Sequence, residues 1–250
     1  MKERVMRRGV ICVIIFLFCF GIAGAREKVF IDNAEIQEYR GRLGKWTMMS
    51  SNGTLVQIAR EFGTTVDEVH AINENPARKM SHGTYVFVPF SEGHIEKLSA
   101  RGVTRSAIET SDDKFIWPID DVKNVSSVLG LRGGRFHSGM DIPARRGEPV
   151  SASMEGRVVC SIYLAGFGNT IDIEHRNSFI TRYSHLSALF VKKGDFVKKG
   201  QIVGLVGSTG VSTGNHLHFE IRCNDIPLDP LDFLPTNDGL KLLHTIKNWK

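Results

Sequence analysis

Hydrophobic and polar residues follow two different periods along the chain, and the change divides it into regions. Between residues 46 and 89, apolar residues recur at helical spacing in two short stretches that lie between two strand-like runs. From residue 115 to 235 the pattern becomes short β-type runs separated by glycine turns. Several short strands at near-regular spacing are typical of an all-β sandwich or barrel. The pattern predicts two domains, a small α+β domain of strand–helix–helix–strand order and an all-β sandwich or barrel.

The ends of the helices in the small domain can be read from the sequence. Thr54 is a suitable N-cap for the first helix, and Gly63 follows its last apolar residue. Thr65 is a suitable N-cap for the second helix, which ends at Asn73. The apolar run over residues 85–89 then predicts the closing strand.

Three further segments lie outside the two predicted domains. Residues 26–45 are polar and mixed in charge, and we assign this N-terminal extension no function. Residues 90–114 lack periodicity and predict a linker or a partly helical spacer. In the tail, over residues 236–250, spaced leucines favour a short amphipathic helix.

The first 25 residues have the composition of an export signal. A basic stretch precedes an unbroken apolar run from residue 10 to 20, and the small-residue site Ala23-Gly24-Ala25 follows it. A bilayer-spanning helix needs about 20 apolar residues, so this run is short for an anchor. We therefore expect a cleaved signal peptide over residues 1–25 and a periplasmic, cell-wall or extracellular protein, with an uncleaved inner-membrane anchor as the alternative.

Charge and cysteine content narrow the function classes. The predicted signal holds four basic residues and one acidic residue, so three of the five net positive charges leave with it and +2 remains. That small charge does not indicate nucleic-acid binding. Cys160 and Cys223 remain in the mature chain. The sequence leaves two alternatives for them, a disulfide or two buried thiols.

The stretch from His216 to Arg222 alternates polar and apolar residues and predicts a half-buried strand. His216, His218 and Glu220 fall on one face, with leucine, phenylalanine and isoleucine on the other. Neutral imidazole is a common metal ligand and carries protons near neutral pH. Either histidine suits either role from this pattern alone, and Glu220 suits an outer hydrogen-bond partner.

Two other glycine-bounded segments hold matching chemistry. His137 and Asp141 lie four residues apart, and with one histidine of the later pair they make a His₂Asp set suited to zinc. A catalytic zinc site uses three protein ligands and leaves a position for water. At strand period Tyr183 and His185 share a face, which offers a base or electrophile not needed as a ligand.

Residues 46–89 resemble the LysM domain, a module that binds peptidoglycan and chitin. The matching motifs are Trp46-Thr47, Gly53-Thr54-Leu55, Ile58-Ala59, Phe62-Gly63-Thr64, Ile72-Asn73 and Gly83 through Pro89. The resemblance implies a βααβ fold and binding to glycan strands.

Residues 115–235 resemble the lysostaphin/LytM-type zinc metallopeptidases. The motifs are His137-x-x-x-Asp141, Tyr183-x-His185-Leu186 and His216-Leu217-His218-Phe219-Glu220. This resemblance implies that His137, Asp141 and His218 bind one Zn²⁺ per chain and that His185 and His216 are the catalytic pair. It also implies a duplicated hybrid-motif-like antiparallel β fold with an open groove.

Together the two resemblances imply a zinc metalloendopeptidase, a peptidoglycan hydrolase that cuts peptide cross-links with zinc-activated water and reaches the wall through LysM. The expected partners are peptidoglycan and the cell-division machinery, without nucleic acid. The alternative is a non-catalytic wall-binding activator of an amidase in septum splitting. A carrier domain is a third option, because the segment over 191–201 has the form of a hammerhead turn.

Overall fold

A computed structural model describes residues 36–49, 54–73, 83–103, 115–122, 124–132, 135–235, 237 and 239–242. The predicted signal peptide over residues 1–25 lies outside them. Within these ranges no helix has the length and apolar character needed to cross a membrane. Most of the regular structure is β-strand, with three short α-helices in the described part of the chain. The predicted β-rich character is therefore confirmed.

Residues 36–103 form what we call the N-terminal unit. Its elements are β1 (Gln37–Tyr39), β2 (Arg42–Met48), α1 (Leu55–Glu61), α2 (Val66–Ile72), β3 (Tyr85–Pro89) and α3 (Glu92–Ala100). The strands make one antiparallel sheet in the order β1-β2-β3. From β2 to β3, the elements follow the strand–helix–helix–strand order.

Local side-chain bonds explain where the two helices start and how they attach to the sheet. Thr54 and Thr65 each accept a bond from a backbone N–H in the first turn, completing capping boxes. At the end of α2 the buried Asn73 amide donates to the carbonyls of Val69 and Phe87, at 2.6 and 2.7 Å. Its Oδ1 accepts from the Phe87 N–H at 2.9 Å, so this side chain joins α2 to β3.

The N-terminal unit extends beyond the predicted 46–89 at both of its ends. The strand predicted from Trp46 begins at Arg42, because Leu43 already packs into an apolar cluster. The segment 90–114, predicted as a linker or a partly helical spacer, contains α3, as the second alternative has it, and Leu98 of α3 packs into the same cluster. The buried members of this cluster are Ile36, Phe90, Leu98 and Val103. Apolar contacts rather than polar composition therefore decide both boundaries.

Residues 115–242 form the C-terminal unit. Its first strands are β4 (Asn124–Val125), β5 (Gly130–Arg132), β6 (Arg135–His137), β7 (Met140–Pro143), β8 (Pro149–Ser151), β9 (Gly156–Leu164) and β10 (Gly168–Glu174). The later strands are β11 (Phe179–Leu186), β12 (Ala188–Leu189), β13 (Phe196–Val197), β14 (Ile202–Leu205), β15 (His216–Cys223), β16 (Ile226–Leu228) and β17 (Lys241–Leu242). Short 3₁₀ turns occupy Arg176–Ser178 and Pro230–Asp232.

The main sheet is antiparallel and has seven strands. Its order is β13-β9-β10-β11-β15-β16, and β7 also pairs with β15. A second sheet has the order β12-β14-β8, and β5 and β6 form a separate hairpin. One large apolar core lies beneath the main sheet and includes Leu217, Phe219 and Ile221, which are fully buried.

Two smaller predictions can be compared with the structure. At the start of the tail, 241–242 form strand β17, which pairs in parallel with β4. The predicted helix is therefore wrong for these two residues, since their backbone bonds to a neighbouring strand, and 243–250 lie outside the described part. Cys160 and Cys223 are not joined by a disulfide.

Candidate metal centre and its histidines

Strands β6, β7 and β15 bring together three side chains that we call the donor cluster: His137, Asp141 and His218. β15 pairs with β7 so that His218 lies directly opposite Asp141. His137 is the last residue of β6. On the other face of β15, the fully buried Leu217 and Phe219 fix the strand to the core and so set the height of His218 above the sheet.

The donor atoms of the cluster are close to one another and buried. The Oδ1 of Asp141 lies 3.0 Å from the Nε2 of His137 and 2.9 Å from the Nδ1 of His218. The two ring nitrogens are 3.1 Å apart. The three residues are exposed by 6%, 8% and 4% in chain order, so water does not separate the donor atoms.

The outer bonds of the two histidines determine which nitrogen carries the proton. The Nδ1 of His137 lies 2.9 Å from the carbonyl oxygen of Val128, which only accepts, so Nδ1–H donates. The Nε2 of His218 lies 2.9 Å from the carboxylate of Glu220 and donates in the same way. In the neutral rings, the nitrogens that face each other therefore bear lone pairs. Three buried lone pairs that converge on one point repel one another unless a proton or a metal ion lies between them.

The donor cluster fits zinc. One imidazole nitrogen from each histidine and one carboxylate oxygen lie within 4.8 Å of one another. Ligand atoms of a tetrahedral zinc are about 3.3 Å apart, because Zn–N and Zn–O bonds are roughly 2.0–2.1 Å. The observed separations of 2.9–3.1 Å are close to that value. Each histidine also has the outer hydrogen bond that metal-bound imidazoles need.

The electrostatics of the cluster favour a bound cation. Burial lowers the pKa of His137 and keeps its ring neutral. Burial alone would raise the pKa of Asp141, but when a proton takes the place of the metal, hydrogen bonds from His137 and His218 hold that pKa well below its ordinary value. Burial opposes charge on His218 too, yet bonds to Asp141 and Glu220 raise its pKa to about 9. A metal ion at this point therefore competes with a proton for the Nδ1 of His218.

His185 reaches the cluster through a break in the pattern of β11. The sequence predicts that Tyr183 shares its face, but the Tyr183 ring is fully buried in the core, where its hydroxyl accepts from the N–H of Ser153. Ser184 instead lies opposite His218. The pairing of β10 with β11 shifts at this point, and the backbone of His185 has a φ of 63°. The prediction for Tyr183 is wrong because this bulge reverses the alternation before His185.

His185 and His216 lie side by side, with ring centroids 4.7 Å apart. The Nδ1 of His185 donates to the carbonyl of Thr209 at 2.7 Å, and the Nδ1 of His216 donates to that of Gly214 at 2.9 Å. In the neutral form of each ring, Nε2 therefore bears a lone pair. The Nε2 of His216 is 3.7 Å from the Oδ1 of Asp141. Burial lowers the pKa of His185, which preserves its neutral form.

A charged network that we call the outer network supports the donor cluster from behind. It consists of Asp172, Arg182, Glu220 and Arg222. Arg182 bonds both oxygens of Asp172, at 2.8 and 2.7 Å, and lies 3.9 Å from the fully buried Glu220. Arg222 bonds Glu220 at 2.8 Å, and the Ser138 hydroxyl also donates to the Glu220 carboxylate. Burial would raise the pKa of Glu220, but the His218 bond and both arginines lower it, so the carboxylate stays charged.

The sequence prediction missed most of the outer network and one further contact. Asp172 and Arg182 are charged residues within apolar strands, which is the signal that could have identified them. They lie directly opposite each other in the β10–β11 pairing. Arg132, half exposed, donates to the Oδ2 of Asp141 at 3.2 Å. Arg132 therefore bonds Oδ2, the oxygen of Asp141 that does not face the two histidines.

Comparison with known proteins gives matches that cover this site. The family model of peptidase family M23 matches residues 135–230. The chain is 45% identical over 107 residues to the DD-carboxypeptidase/endopeptidase Mpg of Neisseria meningitidis, which is 42% of this chain and 25% of Mpg. The chain thus spans a quarter of the length of Mpg.

Two relatives match across both units. The uncharacterized lipoprotein YgeR of Escherichia coli is 32% identical over 199 residues, which is 73% of this chain and 78% of YgeR. The murein hydrolase activator NlpD of Salmonella typhimurium is 31% identical over 209 residues, which is 81% of this chain and 53% of NlpD. Since the M23 match contains the donor cluster, His185 and His216, and since more than two thirds of YgeR is covered, the chain belongs to peptidase family M23.

Proposed function

We propose that the protein is a zinc-dependent endopeptidase that hydrolyses peptide cross-links of bacterial peptidoglycan. The observation that carries this proposal is the convergence of three donor atoms beside two histidines whose Nδ1 atoms bond backbone carbonyls, which leaves Nε2 as the proton acceptor of each neutral ring. A metal site and two proton acceptors are the parts that amide hydrolysis by water requires. The name of Mpg, a DD-carboxypeptidase/endopeptidase, supports the substrate class.

In this mechanism His137, Asp141 and His218 would hold the metal. Zinc bound there supplies Lewis acidity, lowering the pKa of a water molecule and polarising the amide carbonyl. The neutral Nε2 of His185 or His216 accepts the proton that the water loses as it attacks. The same ring, now cationic, returns the proton to the departing amine. The neighbouring ring donates a hydrogen bond to the developing oxyanion only as an imidazolium, which carries a second proton on Nε2.

We further propose that residues 46–89 are a LysM module that binds glycan strands and brings the peptidase to the wall. The order and antiparallel pairing of β2 and β3 around α1 and α2 support this assignment. We also propose that the protein is exported, on the basis of the predicted signal. The LysM assignment predicts that the chain sediments with purified peptidoglycan sacculi even when hydrolysis is blocked.

Digestion of purified sacculi tests the proposal directly. The zinc-loaded chain should convert cross-linked muropeptide dimers to monomers, which mass analysis of the products detects. The masses of the new ends also identify the bond that is cut. A zinc-loaded, folded protein that leaves the dimers intact in sacculi of several cross-link types would overturn the proposal.

A second candidate function has its own support. NlpD, named as a murein hydrolase activator, matches 81% of this chain, including the N-terminal unit. The chain would then bind the wall and activate an amidase of the division machinery without hydrolysing peptides itself. Under this alternative the purified protein lacks zinc and does not digest sacculi alone, but it increases the digestion rate of an added amidase. Zinc content and digestion, measured with and without the amidase, separate the two.

A further inference from the structure

The sheet of the N-terminal unit carries apolar side chains on both of its faces. Val86 and Val88 of β3 pack on one face against Ala59 and Val69 of the helices. Phe87, which lies between the two valines in sequence, belongs to a different apolar cluster. A continuous apolar strand is typical of a sheet that is covered on both sides. The second face therefore needs a partner outside the βααβ elements.

That partner is the β5–β6 hairpin of the C-terminal unit. The ring centroid of Phe136 lies 4.6 Å from that of Trp46 and 4.8 Å from that of Tyr85. On the other strand of the hairpin, Gly130 lies against Tyr39, where an added Cβ would be 2.8 Å from the ring. Both strands of the hairpin thus pack on the N-terminal sheet.

A second contact joins the N-terminal unit to the β15–β16 hairpin. The Tyr85 hydroxyl donates to the carbonyl of Asp225 at 3.1 Å. The buried Gln37 amide donates to the carbonyl of Pro227 at 2.8 Å. Because β15 is the strand of His218, the N-terminal unit touches two hairpins, and each of them carries one histidine of the donor cluster.

The β5–β6 hairpin depends on such packing for its position. Each strand has three residues, and among the described residues the two strands pair only with each other. A two-stranded hairpin alone is at best marginally stable in water. Phe136 and His137 are adjacent in β6, so their side chains point to opposite faces. Fixing the Phe136 ring against the N-terminal sheet therefore fixes the side from which His137 enters the donor cluster.

We propose that the N-terminal unit holds His137 in position for metal binding, with Phe136 as the positioning residue. The zinc affinity of the C-terminal unit then depends on the packing of Phe136 against Trp46 and Tyr85. This inference rests on the proposed function only in requiring that the donor cluster binds zinc.

Zinc affinity of the full chain, measured by competition with a chelator, tests the inference. Phe136→Ala should weaken zinc binding about tenfold, the size of effect that supporting residues have on metal sites. Phe136→Leu keeps an apolar side chain in the contact and should restore most of the affinity. Tyr85→Ala removes the contact from the N-terminal side, far in sequence from the cluster, and should weaken binding as well. The visible absorption of the cobalt-loaded variants should shift with the loss of affinity, because it reports ligand geometry.

Val69→Ala is the matched control, since Val69 is fully buried on the helix-covered face of the same sheet. It should destabilise the N-terminal unit and leave zinc affinity unchanged. Equal affinity of wild type and Tyr85→Ala would overturn the inference, even if Phe136→Ala does not fold. An equal loss in Val69→Ala would overturn it too, because general destabilisation would then be the cause. A wild-type chain that binds no zinc would remove the proposed function and the inference together.

Discussion

The carboxylate of Glu220 lies 2.9 Å from the Nε2 of His218, on the side of the ring opposite the Nδ1 that faces Asp141. Glu220 therefore fixes the tautomer of His218, the ring that faces Asp141 with its other nitrogen. Glu220→Gln keeps the shape but removes the charge that favours the Nε2–H form. We expect zinc affinity to fall by about 10- to 100-fold, as measured by chelator competition.

Glu174→Gln serves as the control for this variant, since Glu174 is an exposed carboxylate at the end of β10 in the same sheet. It removes one negative charge without touching the outer network. Equal zinc affinities for Glu220→Gln and Glu174→Gln would mean that Glu220 does not support the site.

The histidines of β15 are expected to separate metal binding from hydrolysis. His218→Ala removes one of three donor atoms and should abolish stoichiometric zinc binding, as measured by metal analysis of the purified protein. His216→Ala leaves the donor cluster intact, so zinc should remain while hydrolysis of sacculi falls by about 10²-fold or more. Products released by the His216 variant at the wild-type rate would contradict its catalytic role.

His175 is expected to make folding stability depend on pH. Its two ring nitrogens bond the carbonyl of Glu155 and the hydroxyl of Thr181, at 2.7 and 2.8 Å, and burial lowers its pKa. In the unfolded chain the pKa of the ring is about 6.5. Below that pH the unfolded state therefore binds more protons than the folded state. The contribution of His175 is therefore complete above about pH 6.5 and is lost as pH falls toward the lower folded pKa.

Urea unfolding of wild type and His175→Gln between neutral and mildly acidic pH measures this effect. The wild type should lose stability on acidification more steeply than the variant, so the two curves converge as the pH falls. Parallel curves would show that His175 does not titrate differently in the two states.

Asn73 is expected to be the most sensitive polar residue of the N-terminal unit. Asn73→Ala leaves the carbonyl and the N–H of Phe87 without the bonds from this side chain, while the Val69 carbonyl still accepts from the backbone N–H of residue 73. Each buried group left unsatisfied costs roughly 1–3 kcal/mol, so we expect a loss on the order of 2–4 kcal/mol in the free energy of unfolding. Thr65→Ala removes only a helix cap and should cost about 1 kcal/mol. A larger loss in the free energy of unfolding for Thr65→Ala than for Asn73→Ala, measured by denaturant titration, would contradict this account.

The alternation in β15 could be predicted from the sequence because period two alone decides which residues share a face. For His185 the same rule gave the wrong partner, Tyr183. One residue with left-handed backbone geometry reverses the alternation, and the identity of a histidine does not encode that conformation. The closeness of His137, Asp141 and His218 depends on the register between β7 and β15, which local patterns do not specify.

The contact between the two units could be predicted only in part from the sequence. The run from Tyr85 to Val88 is apolar on both faces, so the sequence already contains the signal for a sheet covered on both sides. It does not say what covers the second face. Likewise Asp172, Arg182 and Glu220 look like separate charges until strand register aligns them across β10, β11 and β15.

The backbone of His185 is left-handed, and in this conformation its N–H donates to the carbonyl of Phe167 at 2.8 Å. A non-glycine residue with a φ of 63° costs about 1 kcal/mol relative to ordinary strand geometry. Straightening the chain there would relieve this strain, but it would also turn the imidazole away from His216. The fold therefore gives up some stability at a residue whose conformation sets the position of one imidazole ring.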